Sequence, residues 1–418
     1  MERLLNDTSF IEHNTDLKAV KKKKPLFREG YLIYRLDVLF KAETRDGDDL
    51  SIYKAKLFSL ESLRYIISIV ESKLRSNIRH DFIFYSDDII FMSDNLTVSL
   101  TEYVVAYYKQ EYGINIFIAD RKTEGNKVSF GSTDEDHRIY GGFLVQEIVN
   151  GFLLDSLLLI EDPEKENPAS DDIFYCRRND SNRYKITAGT GPWDASMAVS
   201  QCTEFLERSG ISDEAIETVA GVLGELAPNA VEHGKSNCMI DVSYNEFIDK
   251  QGELEMGISI VIYNFSDKLL WTDLYSKVFE DYKEITYFRD RVETVRDAWG
   301  NHSREFSRKY SEKDFYNLMA FQSISGRKGD NSDGGLGIRT LVRNVQEYSS
   351  VDYCYVLSGN NCLMLRKDFT VPDKHNYVAF NTTQQYVEKI PDKNAVGHTK
   401  CFIPGVAYNL LFCFKKDS

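Results

Sequence analysis

The sequence predicts a mixed α/β protein in two parts, a smaller N-terminal α/β domain and a larger α+β domain behind it. Three observations carry this. Apolar residues repeat at a spacing near 3.6 in some segments and near two in others, as in helices and strands respectively. In the first part strands and helices alternate, which suits a small α/β layer structure. In the later part the order is helix, helix, strand, strand, a long charged insert, a glycine-rich loop, helix, strand, strand.

The domain boundary is the stretch 161–172, which holds two of only eight prolines and almost no apolar side chain, as a linker should. This divides the chain into an N-terminal regulatory or interaction domain over 1–160, a second domain over 173–370 with an insert at 267–332, and a strand-rich extension over 371–418. The length of 418 residues suits two or three domains.

In the first domain, Tyr31–Phe40 and Leu50–Leu57 read as strands. Leu60–Leu74 reads as a helix, because Leu63, Ile66, Ile67, Val70 and Leu74 recur on one face. Phe82–Tyr85 is a short strand, Leu96–Tyr112 a helix stopped by Gly113, and Ile114–Ala119 a further strand. None of these segments carries a catalytic pattern. In the second domain, Arg183–Thr187 is a strand and Trp193–Arg208 a helix. Ser212 or Asp213 caps a helix that runs to about Glu232. Cys238–Asn245 and Glu255–Phe265 alternate as two strands. Glu280–Arg296 is dense in alternating charge, which suits an exposed helix. Val351–Leu357 and Cys362–Lys367 read as a hairpin around Ser358–Asn361, and the last segment as a strand pair ending at Tyr408–Phe414.

Composition excludes several classes of function. Hydrophobic residues make up 42 % and charged residues 28 %, with 25 Tyr and 25 Phe, so sizeable cores can form. No apolar run is long enough to span a membrane, and the N-terminus lacks a secretory pattern, so a cytoplasmic location is expected. A net charge of −14 argues against a nucleic-acid-coating surface. Lys21–Lys24 form one local basic run, a pattern that is usually a solvated flank. Seven cysteines without a Cys-x-x-Cys pair read as reduced, buried thiols rather than a zinc site.

The segment that carries chemistry is the helix over 213–233. Ile216, Val219, Leu223, Leu226, Ala227 and Ala230 form its apolar stripe. Glu225 and Asn229 are one turn apart and share a face beside that stripe, and His233 continues the line. An amide oxygen is a hard ligand suited to Mg²⁺, and a carboxylate one turn earlier can accept a proton. Further on, Gly334-Gly335-Leu336-Gly337 opens into an apolar-patterned helix. Small residues there let backbone N–H groups approach an anion, and the helix N-terminus favours negative charge. Pro228 removes a backbone hydrogen bond inside the first helix, so a bend is expected between Glu225 and Asn229.

Glu225-Leu226-Ala227-Pro228-Asn229-Ala230-Val231-Glu232-His233-Gly234 resembles the N-box of the GHKL ATPases, and its His-Gly ending is similar to that of anti-sigma-factor kinases. Gly334–Gly337 resembles the second glycine box of the same superfamily, and Ser323–Arg327 the lid end before it. The resemblance covers about 183–367. It implies a two-layer α+β sandwich of the Bergerat type that binds ATP with Mg²⁺. It further implies that Asn229 holds the metal, that Glu225 is the general base, and that Gly334, Gly335, Leu336, Gly337 and Arg327 meet the phosphates, with His233 at the same site. The first glycine box departs from the family pattern. After the strand Gly257–Tyr263 the chain has Asn264-Phe265-Ser266-Asp267, so Asn264 replaces the Asp that accepts a bond from the adenine amino group. An uncharged amide makes a weaker acceptor.

The functional expectation is an ATP-dependent switch with slow hydrolysis, in which ATP orders the 267–332 insert as a lid. A serine/threonine kinase of the anti-sigma type and a non-catalytic binding module are the alternatives. A protein partner is expected without being identified, and a homodimer stays open.

Overall fold

A computed structural model describes residues 8–20, 25–28, 31–36, 40–45, 52–86, 90–92, 94–124, 127–130, 143–144, 181–187, 192–248, 254–280, 289–322, 336–349 and 354–415. The chain forms two compact units, Met1–Asn179 and Asp180–Ser418. The 161–172 stretch read as a linker lies outside the described residues.

The first unit begins with two short helices, α1 (Ser9–His13) and α2 (Leu17–Val20). Its main sheet has the order β1 (Leu26–Arg28), β2 (Tyr31–Arg35), β5 (Asp81–Ser86), β7 (Ile116–Glu124), β8 (Lys127–Phe130). The three central strands are parallel, with Ile33 opposite Ile83 and Ile83 opposite Phe117. A second sheet joins β3 (Phe40–Arg45), β4 (Ile52–Phe58), β6 (Ile90–Met92) and β9 (Phe143–Leu144). Parallel strands need long crossovers, and α3 (Leu60–Leu74) and α4 (Asn95–Tyr112) supply them. The α4 ends follow from two residues. The Asp94 carboxylate accepts from the Thr97 N–H at 2.7 Å, and Gly113 at φ +68° closes the last turn. Leu63, Ile66, Ile67 and Val70, the α3 stripe expected from spacing, are all buried.

The second unit is built on a five-stranded antiparallel sheet in the order β10 (Ser181–Ile186), β11 (Cys238–Ile248), β12 (Leu254–Phe265), β14 (Val396–Lys415), β13 (Tyr355–Met364). Register puts Ile240, Ile262, Tyr408 and Val356 in one row and Val242, Ile260 and Leu410 in the next. These side chains share one core with α5 (Pro192–Arg208), α6 (Asp213–Gly234) and α10 (Leu336–Tyr348), through Leu206, Val219, Leu223, Leu341 and Val345 among others. The chain is thus mixed α/β, with a parallel and an antiparallel sheet. On the opposite face Arg183 and Asp241 stand directly across β10 and β11. Arg183 grips one carboxylate oxygen through Nε at 3.1 Å and a terminal nitrogen at 2.5 Å.

Three expectations need correction. The hairpin around Ser358–Asn361 is instead one continuous strand, β13, paired with β14 throughout and bulged at Ser358/Gly359 and Gly359/Asn361. Gly359 at φ +63° marks the bulge, a role that uses the same residue type as a turn. The last segment is not a strand pair but a single long strand, β14, which occupies an inner position of the sheet and so belongs to the second unit's framework.

The 267–322 part of the insert, as far as it is described, is not a detached lid. It comprises α7 (Thr272–Tyr275), a π-turn at Ser276–Glu280, α8 (Arg289–His302), a 3₁₀ turn at Ser303–Glu305 and α9 (Glu312–Met319). Val292, Val295, Ala298, Phe315, Leu318 and Met319 enter the same core as the sheet. The charged run therefore conceals an amphipathic helix whose outer side carries the Arg289–Glu293 pair. Two polar networks fix the insert further. Asp314 caps α9 through the Ser311 N–H at 2.7 Å, accepts from Asn361 Nδ2 on β13 at 2.7 Å, and meets His398 Nε2 on β14 at 2.9 Å. Buried His302 lies 2.9 Å from the Tyr386 carbonyl through Nε2 and 2.6 Å from the Tyr310 hydroxyl through Nδ1. A carbonyl only accepts, so Nε2 carries the proton and Nδ1 accepts from Tyr310. Burial holds this imidazole below its ordinary pKa.

Cys202, Cys238 and Cys354 are free and buried, and burial pushes the Cys238 and Cys354 thiols up to about 12, so both are inert thiols at neutral pH. No helix among the described residues is long and apolar enough to cross a membrane.

Candidate functional site

Helix α6 starts where the sequence stops favouring extended backbone. The Ser212 hydroxyl accepts from the Ala215 N–H at 3.4 Å, and Asp213 and Glu214 stand in the first turn. Ile216, Val219, Val222, Leu223, Leu226 and Ala227 are buried against the sheet. Glu225 is half-buried and Asn229 exposed, so the pair lies at the edge of the core, as their helical phase requires. The helix continues through Pro228 to Gly234. His233 lies in its last turn, with its side chain outside the described residues.

Helix α10 packs antiparallel to α6. A Cβ at Gly221 would stand 3.7 Å from Thr340 Cγ2, Asn344 Nδ2 lies 3.5 Å from the Thr218 carbonyl, and the Tyr348 hydroxyl donates to Glu214 at 2.9 Å. Residue numbers rise along one helix as they fall along the other. Extending that register by one turn brings the first turn of α10, at Leu336, level with Glu225. The free N–H groups of that turn and the half-buried carboxylate therefore occupy the same end of the helix pair. Leu336 and Gly337 open α10, while Gly334, Gly335 and Arg327 lie outside the described residues.

Asn264 belongs to the same end. It sits on the helix-bearing face of β12, in one row with Cys238, Val406 and Ser358. Its Nδ2 donates to the Ala230 carbonyl at 2.7 Å, and its Oδ1 accepts from the Val406 N–H at 2.9 Å. The amide thus ties the last turns of α6, beside Asn229, to the centre of the sheet. Neighbouring Gly405 has φ +105°, and a Cβ there would fall 2.5 Å from the Asn264 carbonyl and 2.6 Å from its Oδ1. Only glycine lets β14 wrap this closely around Asn264. Asn264 is 2 % exposed, and both ends of its amide are engaged within the protein, so the acceptor expected for the adenine amino group is taken up by the fold.

Among the described residues no group of three or more His, Cys, Asp or Glu side chains is placed to hold a metal ion. A single exposed Asn oxygen suits Mg²⁺ that arrives with triphosphate oxygens and its own waters.

Arg339, in the first turn of α10, escaped the sequence reading. Its position two residues past Gly337 was the available signal, but the apolar stripe of that helix drew the assignment. Of the arginines in the insert, Arg296 bonds the Val278 carbonyl at 2.8 Å, and Arg289 is engaged with Glu293. No family model matches the chain, and neither a curated protein nor a solved structure matches it.

Proposed function

We propose that this chain is a GHKL-type protein of Bergerat architecture. It binds ATP with Mg²⁺ where α6 meets the start of α10, and hydrolyses the nucleotide slowly as a conformational switch. The observation that carries the reading is the antiparallel packing of α6 and α10, whose register, continued by one turn, brings a half-buried carboxylate level with the first turn of α10. In this reading the N–H groups of the first turn of α10 receive phosphate oxygens. Mg²⁺, when bound, offsets phosphate charge, and Asn229 supplies its one protein oxygen. Glu225 accepts the proton of the attacking water.

The described helices of the insert share the core, and this supports a switch in the α6–α10 contact over a swing of the whole insert. A non-catalytic binding module is the second reading. What favours it is the burial of Asn264 and the engagement of both ends of its amide within the protein, which leaves adenine no open acceptor at that residue.

The test is incubation of the full chain with γ-labelled ATP and Mg²⁺, alone and with candidate protein partners. Free labelled phosphate at a slow, catalytic rate is the expected result. Label transferred to Ser or Thr of a partner would replace the ATPase with a kinase. Label that stays in ATP under all conditions would leave only the binding module.

A further inference from the structure

Between β13 and β14 the segment 370–395 forms turns and a single bridge, Pro372 with Val378, yet Val378, Ala379, Phe380, Tyr386 and Ala395 are buried in the core. Two adjacent side chains at the end of α8 hold it there. Asn301 Nδ2 donates to the Val387 carbonyl at 3.1 Å, and His302 Nε2 donates to the Tyr386 carbonyl at 2.9 Å. The other ring nitrogen, Nδ1, lies 2.6 Å from the Tyr310 hydroxyl. Phe315 of α9 and the Tyr386 ring pack edge-on against the imidazole.

This arrangement suits only the neutral ring, with one nitrogen donating and the other accepting. A second ring proton would set a donor against the Tyr310 O–H, and that hydroxyl would have to turn and leave its acceptor. No carboxylate among the described residues is paired with the ring. Tyr310 and Tyr386 are buried, and burial pushes both phenols up, so neither supplies a negative charge. Lys389 contributes a backbone carbonyl and is itself exposed. Asp314, next to Phe315 on α9, is engaged by Ser311, Asn361 and His398. Burial disfavours the charged ring, and it outweighs the pull of the Tyr386 and Lys389 carbonyls.

We propose that His302 is an acid-sensitive latch, in which proton uptake by the ring weakens the hold of α8 on the 377–395 segment and lets that segment open into solvent. The closed form binds the proton more weakly than the open form, whose ring titrates near its ordinary value of about 6.5. The closed form is therefore fully favoured above about pH 6.5, and it loses ground as pH falls through that value toward the lower pKa of the closed ring. One excluded proton shifts the opening equilibrium by at most about thirtyfold at pH 5. The latch does not depend on nucleotide binding.

Hydrogen exchange of the full chain at pH 7.5 and pH 5, corrected for the intrinsic exchange rate, tests this on the wild type, His302→Gln and Tyr310→Phe. The amides to follow are Val378, Asp392 and Ala395, which donate to Gln322 Oε1, the Phe380 carbonyl and the Asp392 carbonyl. In the wild type their protection is expected to fall about five- to thirtyfold on acidification, while Ile240 and Leu410 in the sheet keep theirs. A Gln amide donates and accepts without titrating, so His302→Gln should hold its protection at pH 5. Tyr310→Phe removes the bond that requires the neutral ring, so its fall should be smaller than that of the wild type. Equal falls in the wild type and His302→Gln overturn the latch. If His302→Gln does not fold, a fall in Tyr310→Phe as large as in the wild type overturns it. A wild type whose segment keeps its protection at pH 5, or loses it together with the sheet, overturns it as well.

Discussion

Replacing Glu225 with alanine is expected to leave ATP bound while turnover falls about 10²- to 10⁴-fold, the usual contribution of a positioned acid–base group. The expectation comes from where the carboxylate stands. It is half-buried at the border of the α6 core, one turn before Asn229, and level with the first turn of α10. It belongs to no apolar row, so its removal should leave the fold intact. A base acts on the reacting water and not on the bound ground state, so the loss falls on kcat and spares affinity. Phosphate release and nucleotide binding, measured on the same preparation, check this. Wild-type turnover in the variant would mean the proton goes elsewhere. Loss of binding together with turnover would make Glu225 a binding group instead.

The Asp241→Ala variant is expected to lose about 1.5–3 kcal/mol of stability, the worth of hydrogen bonds to a charged group that solvent screens little. Arg183 and Asp241 side chains are 5 % and 12 % exposed, so solvent screens the pair little. They are also register partners across β10 and β11, and β10 is the edge strand of this sheet among the described residues. The loss of the carboxylate therefore acts where the sheet is easiest to open. Urea unfolding measures the loss. A change below about 1 kcal/mol would show that water reaches Arg183 readily. Arg183→Met combined with Asp241→Leu should recover much of the loss, since similar volumes without charge often replace a buried pair at little cost.

Much of the fold was readable because it depends on local pattern. The spacing of Leu63, Ile66, Ile67 and Val70 gave α3 over Leu60–Leu74, and the caps Ser212 and Gly113 marked helix ends at their places. The failures share a different cause. Gly359 bulges a strand instead of turning a hairpin because β13 pairs along its length with β14, a partner far along the chain, to which Ser358 Oγ also donates at the Gly405 carbonyl, 2.8 Å away. Likewise the insert looked exposed because charges outnumber Val292, Val295 and Ala298, yet those three positions suffice to seat α8 in the core.

The candidate site divides in the same way. The alignment of Glu225 with Asn229 follows from helical phase alone. The role of Asn264 does not, because Ala230 and Val406 are separated from it by 34 and 142 positions. No composition signal announces that Gly405 is there to make room for an amide and a carbonyl.

The most direct measurement is a calorimetric titration of the full-length chain with ATP, in Mg²⁺ and in EDTA, for the wild type and Asn229→Ala. Magnesium-dependent binding of one ATP per chain, strongly weakened by the substitution, is the predicted result. No heat of binding in the wild type, or an affinity that neither Asn229 nor magnesium alters, would contradict it.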